Sequence, residues 1–127
     1  MSAKSHLVLV VEDSDDCAAT LEIALDCHPR FVVQVTGSAE EAMHALESSE
    51  VGAVITDLHL PTMDGLAFVS KLRQDDRFAH LPVLVISGDT DPETPRRARS
   101  AGASAFFSKP YSPGAVRQKL EELIDGR

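Results

Sequence analysis

Five side chains able to do chemistry sit at the ends of short apolar runs. Glu12 and Asp13 follow Leu7–Val11, and Asp57 follows Val51–Thr56. Ser87 closes Pro82–Ser87, and Lys109 follows Ala103–Ser108. Three carboxylates brought together repel one another and stay ionised only where a cation compensates them. Oxygen donors without His or Cys in the set favour a hard ion such as Mg²⁺. An aspartate beside Mg²⁺ and an ammonium can act as a nucleophile and carry an acyl phosphate. The metal and the lysine would neutralise charge on the transferring oxygens, and the Ser87 hydroxyl could hydrogen-bond the product. Taken singly, each residue has a plainer reading. Glu12-Asp13 could be a helix cap and a solvated turn, and Asp57 a loop residue before the turn at Pro61–Gly65. Ser87 could be a strand-end hydroxyl, and Lys109 a surface charge. Their joint placement favours the chemical reading.

The elements that must position them alternate. Leu7–Val11 is apolar on both faces, as in a strand covered on both sides of a sheet. From about Asp16 to Cys27 the residues Cys17, Leu21, Ala24 and Leu25 form a helical stripe, which Pro29 stops. Phe31–Val35 reads as a second strand. Ser38 and Glu41 form a capping box for a helix whose buried stripe is Ala39, Ala42, Met43 and Leu46. Val51–Thr56 is a third strand, and Leu66, Val69 and Leu72 mark a third helix. Pro82–Ser87 is a fourth strand, with Pro82 tolerable at its first position. A short fourth helix spans about Thr94–Ala101, with Thr94 as N-cap, Pro95 as its first residue and Gly102 closing it. Ala103–Ser108 is a fifth strand, and about Ser112 to Ile124 a fifth helix with Val116, Leu120, Leu123 and Ile124 inward. Strands alternating with helices predict a parallel sheet with right-handed crossovers and helices on both faces. Ligands of such sheets sit at the carboxyl ends of the strands, where these five residues fall.

The chain has 127 residues, which fits one domain spanning 1–127. Its formal net charge of −8 opposes direct binding of nucleic acid or anionic membrane. No stretch reaches the roughly 18 apolar residues of a membrane helix, and the N-terminus lacks a signal-peptide pattern. Cys17 and Cys27 are too few for a disulfide framework and read as ordinary buried thiols, which fits a cytoplasmic protein.

The strings VVEDSDD, VITDLHLPTMDGLAF, VLVISGD and AGASAFFSKP resemble the receiver domain of two-component response regulators, from Leu7 to about Ile124. The resemblance implies a flavodoxin-like (βα)₅ fold with sheet order 2-1-3-4-5. It implies that Asp57 is the phosphoacceptor, that Asp13 ligates Mg²⁺ directly and Glu12 through water, and that the His59 backbone carbonyl is a further ligand. Lys109 would contact Asp57 and the phosphoryl oxygens. Ser87 would be the switch hydroxyl and Phe106 the switch aromatic. The Lys109–Pro110 bond would be cis. Gly65 would serve the turn after Asp57, in a loop shared with Thr62, Met63 and Asp64.

Several positions depart from the commonest pattern of that family. Ser87 stands where Thr is frequent, and Phe106 where Tyr is frequent. His59 and Asp89 hold positions that tune dephosphorylation. The implied partners are a sensor histidine kinase or a histidine phosphotransfer protein, and a downstream protein or output domain on the face of helix 4, strand 5 and helix 5. Homodimerisation through that region stays open. Two alternatives remain: a small Mg²⁺-dependent aspartyl-phosphate phosphatase, and a degenerate receiver serving only as an interaction module. His59 stands where such phosphatases place a second Asp. The opening Met1-Ser2-Ala3 favours an N-terminal or sole domain, whereas the end at Asp125-Gly126-Arg127 fits a stand-alone regulator or a receiver taken from a longer protein.

Overall fold

Apolar runs too short for helices and flanked by helical stripes become strands here. In this computed structural model residues 6–61 and 63–125 are described. The strands are β1 (His6–Val11), β2 (Phe31–Thr36), β3 (Ala53–Asp57), β4 (Val83–Ser87) and β5 (Ala105–Ser108). They alternate with α1 (Asp15–Asp26), α2 (Ala39–Ser48), α3 (Gly65–Gln74), α4 (Thr94–Ala101) and α5 (Pro113–Ile124). All neighbours pair in parallel, in the order β2-β1-β3-β4-β5. This is the flavodoxin-like arrangement, with its switch point between β1 and β3.

Alternation along the strands splits the core in two. Leu9, Val11, Val54, Val83 and Val85 face α2, α3 and α4, where Leu46, Phe68, Leu72 and Ala98 meet them. Val8, Val10, Ile55, Leu84 and Ile86 face α1 and α5, where Leu21, Leu25, Val116 and Leu120 meet them. β3 and β4 are buried throughout, as central parallel strands must be. The edge strand β2 is less covered, and Val32 and Val35 are exposed.

Most helix boundaries follow local chemistry. The Ser14, Ser38 and Ser112 hydroxyls accept from the N–H of Cys17, Glu41 and Ala115 and start α1, α2 and α5. The Glu41 carboxylate returns to the Gly37 N–H at 3.0 Å, one residue before the usual partner of a capping box. Three expectations need correction. Thr94 is not the N-cap of α4: Glu93 is, and Thr94 and Pro95 are the first two helical residues. The turn begins earlier because the Thr94 N–H donates to the Asp91 carbonyl at 3.0 Å. The inward stripe of α1 uses Ala18 rather than Cys17, which is half-buried, and Cys27 is exposed. β3 begins at Ala53 and runs to Asp57, so the aspartate is the last residue of the strand. Thr62 and Met1-Ser2-Ala3 lie outside the described residues, as do Gly126 and Arg127.

Gly102 ends α4 with φ +116°, and the Arg73 guanidinium of α3 donates to its carbonyl at 2.8 Å.

Candidate functional site

Strand register brings the chemical residues level. Val11 pairs with Thr56, Asp57 with Ile86, and Ser87 with Ser108. Backbone bonds run one residue past the strand ends. The Glu12 N–H donates to the Thr36 carbonyl at 2.9 Å, and the Lys109 N–H to the Ser87 carbonyl at 2.8 Å. The sheet thus fixes where Glu12, Asp57, Ser87 and Lys109 emerge. The Lys109–Pro110 peptide bond that turns the chain away from the rim is cis.

Lys109 reaches across to β3. Its Nζ lies 2.7 Å from Asp57 Oδ2 and 3.6 Å from Glu12 Oε1. Both carboxylates are 7% exposed. Asp57 Oδ1 accepts the His59 N–H at 2.8 Å, and Glu12 Oε2 accepts the Ser14 N–H at 3.1 Å. Asp13 is exposed on the turn into α1, and so is the His59 side chain. Ser87 is fully buried, with its Oγ accepting the Asp89 N–H at 2.9 Å. Phe106 is half-buried against the α4 side of the core.

The N-terminus of α3 closes the floor. The Gly65 N–H donates to the Leu58 carbonyl at 2.8 Å. A Cβ on Gly65 would lie 2.4 Å from the Asp57 carbonyl oxygen, so close approach alone demands glycine there.

The electrostatics follow from crowding two acids around one ammonium. Burial, with Asp57 adding to it, pushes the Glu12 carboxyl up to about 7, against the pull of the Ser14 N–H and Lys109. Burial would also raise Asp57. The Lys109 ammonium, the His59 N–H and Glu12 outweigh it and hold Asp57 below the ordinary aspartate value. Burial disfavours the Lys109 charge, yet Asp57 and Glu12 hold it above its ordinary value. One lysine compensates one of the two buried acids. The raised Glu12 value comes mainly from its burial, with the Asp57 charge adding to it, and a hard divalent cation fits an all-oxygen donor set of this kind. Among the described residues no three His, Cys, Asp or Glu side chains close into a metal cage. The expected ligand set is not a cage of that type, because it takes a backbone carbonyl at His59 and reaches Glu12 through water.

One neighbour escaped the sequence reading. Cys17 Sγ sits 3.9 Å from Lys109 Nζ, in a depression it lines with Asp16, Thr20, Pro110 and Tyr111. Its place one turn into α1, beyond the Ser14 cap, was the available signal.

Comparison with known proteins decides the family. The family model described as the response regulator receiver domain matches residues 8–121. The chain belongs to the response regulator receiver domain family. Like other receiver domains it is a signalling module of two-component systems. It is 34% identical over 122 residues to the sensory/regulatory protein RpfC of Xanthomonas campestris, covering 94% of this chain and 17% of that protein. It is 30% identical over 121 residues to the chemotaxis protein CheY1 of Helicobacter pylori, covering 92% of this chain and 95% of that protein. The receiver domain thus spans nearly all of one curated relative and about a sixth of the other. A solved neighbour is the receiver domain of sensor histidine kinase PA1611 from Pseudomonas aeruginosa PAO1, with a magnesium ion coordinated in its active-site cleft. It superposes with a TM-score of 0.84 at 19% identity, covering 95% of this chain and 98% of that one.

Proposed function

We propose that this receiver, acting as one domain over residues 1–127, accepts a phosphoryl group on Asp57 from a phosphohistidine of a sensor kinase or phosphotransfer protein. The observation that carries this is the buried Asp57 carboxylate, kept ionised at the end of β3 by Lys109 at 2.7 Å. A carboxylate oxygen of Asp57 attacks phosphorus, the P–N bond to the donor imidazole breaks, and the imidazole leaves. Lys109 stays close to the phosphoryl oxygens throughout. Glu12, Asp13, Asp57 and the His59 carbonyl would hold Mg²⁺, Glu12 through water, and the ion supplies further charge neutralisation there. The crowding of two buried acids, Glu12 and Asp57, around the one Lys109 ammonium supports that assignment, as does the magnesium ion held in the PA1611 cleft.

The Ser87 hydroxyl then turns to donate to a phosphoryl oxygen, and its Oγ leaves the Asp89 N–H it had accepted. Phe106 turns into the space released, and the face of α4, β5 and α5 changes its affinity for a downstream partner. This is a population shift between two states of the receiver. Hydrolysis of the acyl phosphate resets it. The protein works in the cytoplasm as a switch rather than a turnover enzyme.

The test is intact-mass measurement after incubation with acetyl phosphate, with and without Mg²⁺. Wild type should gain one phosphoryl group with Mg²⁺, whereas Asp57→Asn should gain none. Absence of uptake in wild type would mean that the chain works as an interaction module alone.

A further inference from the structure

The loop from β4 to α4 carries an acceptor at every second residue: Ser87, Asp89, Asp91 and Glu93. Each of the first three is used in the same way. Ser87 Oγ accepts the Asp89 N–H, Asp89 Oδ1 the Asp91 N–H, and Asp91 Oδ1 the Glu93 N–H, all at 2.9 Å. The result is a ladder from the buried Ser87 hydroxyl to Glu93, the residue that caps α4. The Asp91 N–H is the main reason the Asp89 carboxyl lies below its ordinary value, with the Thr94 hydroxyl and the charges of His59 and Arg97 assisting.

The far end of the ladder holds arginines. Asp91 Oδ2 pairs with Arg97 at 3.1 Å, and Glu93 pairs with Arg96. Arg97 also donates to the Thr94 hydroxyl at 3.3 Å. Thr94 and Ala98 bury the inner side of α4, which leaves Arg96 and Arg99 on its outer side. Arg96 and Arg97 have side chains 78% and 54% exposed. Arg99 is exposed and makes no ion pair among the described residues. Three of the chain's 12 Lys and Arg residues therefore crowd one short helix of a protein with net charge −8.

We propose that the Ser87–Asp89–Asp91–Glu93 ladder is a latch that occupies Arg96 and Arg97, and that its release presents α4 to an acidic segment of a partner protein. The proposal rests on the reading of Ser87 as the hydroxyl that turns to the phosphoryl group. When it does so, the Asp89 N–H loses its acceptor and the first rung opens. Asp89 moves with its freed backbone and carries the Asp91 N–H that its carboxylate holds, so Asp91 and Glu93 lose their fixed positions opposite the arginines. Exposed ion pairs are weak and yield to a competing carboxylate once their geometry is no longer held. Arginine forks match carboxylates in a bidentate manner, which selects an Asp- or Glu-rich segment. Duplex nucleic acid fits less well, because its long line of phosphates would also meet the acidic remainder of this surface.

The test measures fluorescence anisotropy of a labelled oligoglutamate peptide, with an oligolysine peptide and a labelled DNA duplex as comparison probes. The proteins are wild type, Asp91→Asn, Arg96→Gln/Arg97→Gln, and Glu22→Gln as a control for the change in net charge on an exposed position of α1. Asp91→Asn keeps an acceptor for the Glu93 N–H but removes the charge facing Arg97. Without phosphorylation it should bind oligoglutamate about two- to fivefold more tightly than Glu22→Gln does. Wild type should gain similarly once mass measurement shows phosphoryl uptake, and the double arginine variant should gain in neither case. Equal binding by Asp91→Asn and Glu22→Gln would overturn the latch. Undiminished binding by the double variant, or tighter binding of the duplex than of the peptide, would overturn the acidic partner. Absent phosphoryl uptake would count against the switch itself, while the Asp91→Asn comparison would still decide the latch.

Discussion

At the scale of single residues, Glu12 and Asp57 are pushed in opposite directions by the same crowded site. The folded pKa of Glu12, about 7, lies above its ordinary 4.5. The associated stability is therefore fully present below the ordinary value and is lost as pH rises through about 7. In metal-free protein the melting temperature should fall from about pH 5 to about pH 8 by more in wild type than in Glu12→Gln. Calorimetry across that range checks it, and parallel curves would contradict it. Mg²⁺ affinity should rise over the same range, since binding must displace the Glu12 proton. Replacing Lys109 by Met leaves two buried acids facing each other without a cation. Discounted for the 28% exposure of the lysine side chain, the expected cost is about 1–2 kcal/mol in urea denaturation at pH 8. The identity of these residues was legible because each closes an apolar run. What the sequence could not convey was reach: Lys109 crosses the rim to β3 and passes Cys17 on the way.

At the scale of elements, local grammar carried most boundaries and failed where backbone partners lay outside the grammar. The serine cap of α2 was readable, since a hydroxyl before an apolar stripe has one common use. The start of α4 was displaced by one residue because the Asp91 carbonyl takes the Thr94 N–H, which no propensity encodes. The alternating acids of the β4–α4 loop carried no legible role beyond the position of Asp89, although Asp89 and Asp91 each hold the backbone N–H two residues on. Gly65 was readable as a turn residue but not as a point of close approach to β3. Gly65→Ala should destabilise the fold by about 1–3 kcal/mol and slow phosphoryl uptake, because α3 must back away from the Asp57 carbonyl. Urea denaturation and timed mass measurement report the two effects. Unchanged stability would mean that α3 shifts freely.

At the scale of the whole molecule, alternating strand and helix patterns were enough for a parallel sheet, and the resemblance supplied its order. The two faces of the sheet account for the near-continuous apolar character of β1, β3 and β4. Exposure of Val32 and Val35 on β2 was not readable, because an edge strand differs from a central one only in what flanks it. Phe68 fills the face shared by α2, α3 and α4 and is fully buried, so Phe68→Ala should cost about 3–5 kcal/mol. A much smaller loss in urea denaturation would mean that this face repacks. The sheet fixes where the site residues emerge, and the chemistry turns on one atom group, the Asp57 carboxylate. The most direct measurement is reductive trapping of the acyl phosphate with borohydride after treatment with acetyl phosphate and Mg²⁺, followed by peptide mapping. Homoserine at position 57 and nowhere else is the expected product. Trapping at another carboxylate, or at none, would contradict it.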